Sequence, residues 1–199
     1  MTIEAINQAT PSAEDWSRLD RLQMATRRHR SAHGCGAYTF EDGLGLSRIV
    51  GAASPRRIIE LGTALGYSAA TMALSCPQAE VHTVEGDATH VMLAREEVAM
   101  LGLAHQITVH EGDFAEVLSN LADPFDLAFF DGFAPDQEIV DLLCGVISIG
   151  GWVICANLGL AGNTRLRALE RIFAGRWKQV DEIENGGTTV FRSNTGLAV

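Results

Sequence analysis

The stretch RRIIELGTALGYSAA, Arg56 to Ala70, decides how the rest of the chain is read. Two arginines lead into the apolar pair Ile58-Ile59, and the run ends on Glu60-Leu61. Gly62 and Gly66 follow, and Ser68 to Leu74 then reads as a helix. A buried strand, a glycine turn and a helix start in that order form a nucleotide-binding corner. Glycine supplies turn conformations closed to other residues and lets a ligand approach the backbone. Glu60 places a carboxylate where the strand runs out, beside the turn.

Downstream of this corner the pattern alternates. Val81 to Glu85 predicts a second strand, and Asp87 to Gly102 a helix with Val91, Ala94, Val98 and Leu101 on one side. Ile107 to His110 predicts a third strand, and Ala115 to Leu121 a helix. Phe125 to Phe130 is a fourth strand running out at Asp131, and Ile139 to Ile147 carries the apolar face of another helix. Gly150 to Cys155 is a fifth strand, and Thr164 to Ala174 a further helix. Two closing strands, Lys178 to Ile183 and Thr188 to Arg192, flank the turn at Gly186-Gly187. Strands alternating with helices imply a parallel sheet covered on both faces. A short connection joins only antiparallel neighbours. The expectation is therefore an α/β, doubly wound, mostly parallel seven-stranded sheet with an antiparallel C-terminal hairpin, residues 1–199 forming one domain.

Upstream, Pro11-Ser12-Ala13-Glu14 resembles a capped helix start, with Trp16, Leu19, Leu22 and Ala25 at near-helical spacing. That helix is expected to end by Ser31. His33 to Gly45 holds four glycines in thirteen residues and reads as a mobile, lid-like loop, so residues 1–45 are an N-terminal helix and lid. The helix and its Trp16 can pack on the domain or on a second copy, which keeps a homodimer among the expectations.

A net charge of −10 argues against a nucleic-acid backbone or an anionic membrane as partner. The arginines between Arg18 and Arg30 are a local exception and read as a solvated helix face. Cys35, Cys76, Cys144 and Cys155 show no CxxC spacing, which suits reduced thiols better than disulfides or a zinc site. With no apolar leader and no run near the roughly 20 residues of a membrane helix, a cytoplasmic chain is expected.

Ligands of such sheets bind beyond the C-terminal strand ends. Glu60, Glu85, Asp113 and Asp131 lie at or just past four of them, with Asn157 after the fifth. Glu85 stands roughly 20 residues past the glycine turn, where an acid hydrogen-bonds ribose hydroxyls. The glycine spacing is GxxxG, not GxGxxG, and nothing basic lies in the turn. A ribose-bearing ligand without a pyrophosphate fits better than a nicotinamide dinucleotide.

Glu60-Leu61-Gly62-Thr63-Ala64-Leu65-Gly66-Tyr67-Ser68, then Glu85, Asp113 and Phe129-Phe130-Asp131, resemble the class I S-adenosylmethionine-dependent methyltransferases. The ELGTxxGYS form is similar to the catechol and caffeoyl-CoA type O-methyltransferases. That resemblance implies a small-molecule substrate methylated at a hydroxyl, with S-adenosylmethionine as cofactor. It implies that Gly62 and Gly66 let the methionine part pass, with Thr63 and Tyr67 in the same turn, and that Ser68 bonds its carboxylate. Glu60 would shape the turn or contact the ligand, Glu85 with Gly86 would hold the ribose, and Asp113-Phe114 would border the adenine. Asp131 would face the sulfonium and, in that family, a divalent metal.

Two departures stand out. The family takes a second metal carboxylate from an Asp-Asn pair after the fifth strand, where this chain has Ala156-Asn157. It also places a lysine near the substrate hydroxyl, where this chain has Gly132-Phe133-Ala134-Pro135 and its only lysine is Lys178. Asp131 and Asn157 supply one charge, and Mg²⁺ wants several oxygen ligands, so metal binding is expected to be weak or absent. Hydroxyl methylation without a metal needs a general base, for which His33 on the loop is the first candidate, followed by His29, Tyr38 and Asp136. Two alternatives remain: a non-catalytic S-adenosylmethionine-binding protein and, less compatible with the glycines, a nicotinamide-dependent oxidoreductase.

Overall fold

The computed structural model describes residues 10–121, 124–133, 135–162, 166–167 and 175–193. At its centre is β1 (Arg57–Leu61), whose residues alternate between two faces as a pleated strand requires. Ile58 packs into one core layer and Ile59 and Leu61 into the other. β1 pairs in parallel with β2 (Glu80–Glu85) on one side and with β4 (Phe125–Phe130) on the other. β3 (Ile107–Glu111) lies outside β2, and β5 (Ile147–Cys155) outside β4, both parallel. The winding direction reverses between β1 and β4. Such a switch point opens a crevice beyond the strand ends.

The sheet order is β3-β2-β1-β4-β5-β7-β6, with β6 at Trp177–Ile183 and β7 at Thr188–Ser193. The seven strands and the antiparallel end match the expectation. The order does more than a simple hairpin requires, because β7 inserts between β5 and β6 and runs antiparallel to both. Its burial explains the choice. Val190 is 0% exposed and Thr188 0%, whereas β6 alternates mostly exposed residues and makes a tolerable edge.

Among the described residues, six α-helices clothe the sheet. α1 (Ala13–His33), α2 (Gly43–Ala53), α3 (Tyr67–Ser75) and α4 (Ala88–Met100) contribute to the Ile58 layer. α5 (Phe114–Asn120) and α6 (Gln137–Val146) contribute to the Ile59 layer, around Phe125, Ala128 and Phe130. α6 passes directly into β5, so that strand starts three residues before the expected Gly150. The pairing with β4 shifts between Phe125 and Leu127 to absorb the extra length. The helix expected at Thr164 to Ala174 lies outside the described residues apart from 166–167.

α1 begins on a capping box: Ser12 Oγ accepts from the Asp15 N–H at 3.1 Å, and the Asp15 carboxylate accepts from the Ser12 N–H at 2.9 Å. It ends later than expected. Residues 27–33 are polar apart from Ala32, so no apolar stripe reports their helicity; the stop is Gly34, at φ +62°. His33 is thus the last residue of α1, not part of the glycine-rich loop. That loop shrinks to residues 34–42 and is pinned. Ala37 and Phe40 are buried, Gln23 Nε2 donates to the Phe40 carbonyl at 2.9 Å, and Phe40 packs edge-on against Phe129.

Candidate active site

The glycine corner is built by ladder bonds that outlast the strands. Gly62 N–H donates to the Val84 carbonyl and Asp131 N–H to the Leu61 carbonyl, both at 3.0 Å. Three strand ends are therefore held in register where side chains begin to face the crevice. Gly62 sits at φ +104°, and Gly66, at φ +93°, is the N-cap of α3. No side chain caps α3, so the positive end of its dipole is presented to the cavity beside Tyr67 and Ser68.

Glu85 ties the corner to α4. One carboxylate oxygen accepts from the Ala64 N–H at 2.8 Å and the other from the Asp87 N–H at 3.0 Å. The carboxylate is held rigidly at the cavity wall with lone pairs to spare.

Glu60 behaves differently. It is 0% exposed, beneath the turn, and Thr83 donates to its Oε2 at 2.5 Å while the Thr83 and Thr63 hydroxyls meet at 2.5 Å. Oε1 has no hydrogen-bond partner among the described residues. Burial pushes its pKa up to about 8, helped by the charges of Asp131 and Glu85 and opposed by the nearby Ser68 hydroxyl and the hydrogen bond from Thr83. At neutral pH Glu60 is an uncharged strut under the glycine turn. It does not line the cavity.

Asp131 stands at the end of β4, facing the cavity. Burial raises its pKa to about 7, the nearby charge of Glu184 adds to that, and a hydrogen bond from Asn157 opposes it. Asn157 Nδ2 reaches Asp131 Oδ1 at 3.3 Å and the Gly132 carbonyl at 2.8 Å. A divalent cation would need the Asn157 oxygen turned inward, which would set two carbonyl oxygens against each other at Gly132. One carboxylate and an amide presenting its NH₂ supply few of the oxygen ligands that Mg²⁺ takes.

The cavity has a volume of about 600 Å³, within the roughly 300–1,000 Å³ typical of small-molecule sites. Of the sequence-predicted residues, Gly62, Thr63, Tyr67, Ser68, Glu85, Phe114, Asp131 and Asn157 line it together. Gly66 supports the turn from behind, Gly86 is exposed past β2, and Asp113 is spent capping α5 through the Ala115 and Glu116 N–H groups. Among the candidate bases, Tyr38 is on the wall. Asp136 caps α6, and neither His29 nor His33 lines the cavity. His33 is exposed, its ring 4.7 Å from that of His29, because α1 carries it past the loop where it was expected.

The far wall was not read from the sequence. Thr39, Phe40 and Glu41 come from the loop after α1, and Phe133 and Leu160 follow β4 and β5. Glu184 arrives from the turn between β6 and β7. Its backbone N–H donates to Asp42 and its carboxylate accepts from the Glu41 N–H, which joins the C-terminal turn to the loop. No sequence pattern marks Glu184, whose partners in the loop, Glu41 and Asp42, lie over 140 residues away. Thr39 Oγ1 is buried at this wall without a partner among the described residues. Four carboxylates (Glu41, Glu85, Asp131 and Glu184) line the cavity, and among the described residues no Lys, Arg or His does. The chamber thus suits a cation and repels a pyrophosphate.

Comparison with known proteins points to the same fold. A family model described as "Methyltransferase domain" matches residues 59–157, which run from β1 to just past β5. Catechol O-methyltransferase B of Danio rerio is 25% identical over 166 residues, 78% of this chain and 61% of that protein. Catechol O-methyltransferase of Mycobacterium tuberculosis is 35% identical over 97 residues, 48% of this chain and 44% of that protein. The chain thus spans under two thirds of the length of these relatives. The crystal structure of the O-methyltransferase TomG from Streptomyces achromogenes, in complex with SAM, superposes with a TM-score of 0.75 at 23% identity over 90% of each chain, a likeness of fold.

Proposed function

This chain is related to the class I S-adenosylmethionine-dependent O-methyltransferases, and from that premise we propose that it methylates a hydroxyl of a small molecule without a metal at Asp131. One observation carries the reading: the cavity combines the uncapped start of α3 with four carboxylates and, among the described residues, no basic one. A zwitterionic sulfonium matches both features, since its carboxylate suits the helix start and its cation the acidic wall.

Bound there, S-adenosylmethionine supplies an electrophilic methyl group on sulfur. The residues of the chain do the rest. Gly62 leaves room for the ligand to pass the backbone, Ser68 and the α3 N–H groups take its carboxylate, and Glu85 accepts from the ribose hydroxyls. Gly86 and Asp113 stand one residue further out, and Phe114 covers the base. Asp131 faces the positive centre and accepts the substrate hydroxyl proton at a carboxylate oxygen. Its raised pKa suits a base poised near neutral pH. Phe40 is buried at the wall, and the exposed Tyr38, Phe133 and Leu160 offer apolar surface at the mouth for an aromatic or similarly flat substrate to cover.

The four cysteines are free, which supports a reducing, cytoplasmic setting, and no described helix is long and apolar enough to cross a membrane. The test is calorimetry with S-adenosylhomocysteine followed by transfer of labelled methyl to a panel of catechols and phenols. No binding at high micromolar ligand ends the proposal. Binding without transfer to any acceptor would leave a cofactor-binding protein in its place.

A further inference from the structure

Outside the cavity, three ligand-type side chains that are far apart in the chain converge. His29 lies in the penultimate turn of α1, Cys35 directly follows the left-handed Gly34 that ends α1, and His90 lies in the first turn of α4. One ring nitrogen of each histidine and the Cys35 sulfur all lie within 4.8 Å of one another. His90 is 4% exposed, and the other two are half-buried. The His29 and His90 rings meet edge to face with centroids 5.4 Å apart. We propose that His29, Cys35 and His90 form a binding site for Zn²⁺ that fastens the loop wall of the cavity to α4.

The donor set selects the ion. Two imidazoles and a thiolate suit a borderline-soft cation such as Zn²⁺, whereas Mg²⁺ and Ca²⁺ take oxygen ligands. Tetrahedral Zn²⁺ with bonds of about 2.0–2.3 Å separates its ligand atoms by roughly 3.4–3.7 Å, so the present spacing must close by no more than about an ångström and a half. Side-chain rotation at the half-buried His29 and Cys35 supplies that closure. The Cys35 thiol gives up its proton to solvent as the metal–sulfur bond forms. Water or the neighbouring His33 ring, 4.7 Å from His29, completes four ligands. A ligating imidazole usually gives its other N–H to a carboxylate, and Glu85 Oε1 stands 3.8 Å from His90 Nδ1.

Position gives the site its consequence. The loop that starts at Cys35 brings Tyr38, Thr39 and Phe40 to the cavity, while Glu85 links His90 to the glycine turn through the Ala64 N–H. Zn²⁺ held between them stiffens two walls of the cavity at once. This site stands independently of the methyl-transfer reading, and its first test uses metal alone.

Chelator-treated, reduced protein is titrated with Co²⁺ as a coloured stand-in, and Zn²⁺ is then added. One equivalent of Co²⁺ is expected to produce a thiolate-to-cobalt charge-transfer band and tetrahedral visible bands, both erased by Zn²⁺. Cys35→Ser is expected to lose the charge-transfer band. His29→Ala, at a half-exposed position that leaves folding intact, is expected to weaken binding roughly tenfold or more. Zn²⁺ is expected to raise the Tm of the wild type and leave that of His29→Ala unchanged. Absence of the band, or a band that survives in Cys35→Ser, overturns the proposal, as does a Tm shift equal in both proteins.

Discussion

A Cβ placed on Gly62 would stand 3.0 Å from the carbonyl oxygen of Asp131, so the ends of β1 and β4 meet only over a glycine. The φ of +104° at Gly62 makes the same demand from the backbone. The switch point and the acid that faces its crevice are therefore set by one missing methyl group. Gly62→Ala is expected to cost on the order of 1–3 kcal/mol in urea unfolding and to abolish measurable S-adenosylhomocysteine binding. A variant as stable as the wild type, with binding intact, would contradict the close approach.

The buried carboxyl of Glu60 makes stability depend on pH. Its folded pKa of about 8 lies above the ordinary 4.5, so between those values the unfolded chain has lost a proton that the folded chain keeps. Its contribution is fully present below about pH 4.5 and is lost as pH rises through about 8. Glu60→Gln keeps the shape and cannot ionise. Unfolding free energies measured across this range should fall less steeply for the variant, with a gap on the order of a few kcal/mol at the alkaline end.

Asp131 should read the charge on the ligand sulfur. With the pKa of Asp131 at about 7, a sulfonium must displace a proton below that pH, whereas a thioether need not. Affinity for S-adenosylmethionine is expected to rise with pH through about 7 while affinity for S-adenosylhomocysteine stays comparatively flat. Asp131→Asn should erase the difference and lower turnover by roughly a hundredfold, in keeping with a lost general base. Parallel pH profiles for the two ligands in the wild type would remove Asp131 from the sulfonium.

Glu85 serves two purposes that substitution can separate. Glu85→Ala strands the Ala64 and Asp87 N–H groups and any ribose hydroxyls, and should weaken cofactor binding by more than ~1 kcal/mol. Glu85→Gln retains one acceptor oxygen and should lose less. Calorimetry with S-adenosylhomocysteine compares them directly; equal losses would assign the role to charge alone.

Mg²⁺ is expected neither to raise turnover nor to produce binding heat at the Asp131–Asn157 pair. Asn157 Nδ2 is committed to the Gly132 carbonyl at 2.8 Å, and Asp131 is the one carboxylate of the pair. Saturable activation by Mg²⁺ in the wild type, absent in Asp131→Asn, would show that the amide turns.

How far the chain could be read follows the range of its interactions. The central strands β1, β2 and β4 were legible because apolar runs of five or six residues, broken by glycines and acids, report burial on both faces. The glycine-turn side of the cavity was equally legible, since Gly62 to Ser68 is one continuous turn and Glu85 ends the neighbouring strand. The far wall was not. Thr39, Glu41 and Glu184 belong to segments without periodicity, brought together by hydrogen bonds such as that from Glu184 N–H to Asp42. His33 was misplaced for a related reason: a helix turn that is polar apart from Ala32 and rests on its Gly34 cap leaves no stripe to follow.

The sequence by itself determined the corner: a strand, a turn that needs glycine at Gly62 and Gly66, and a helix start, all encoded by residues within one stretch of chain. Only the tertiary structure decided what stands around it. It neutralised Glu60 by burying it, brought Asp131 to a pKa near 7, inserted β7 beside β5 and gathered His29, Cys35 and His90. The physical reason is the same in each case. Conformational preference acts between neighbours in sequence, whereas desolvation, charge coupling and ligand geometry depend on which distant groups the packed core forces into contact.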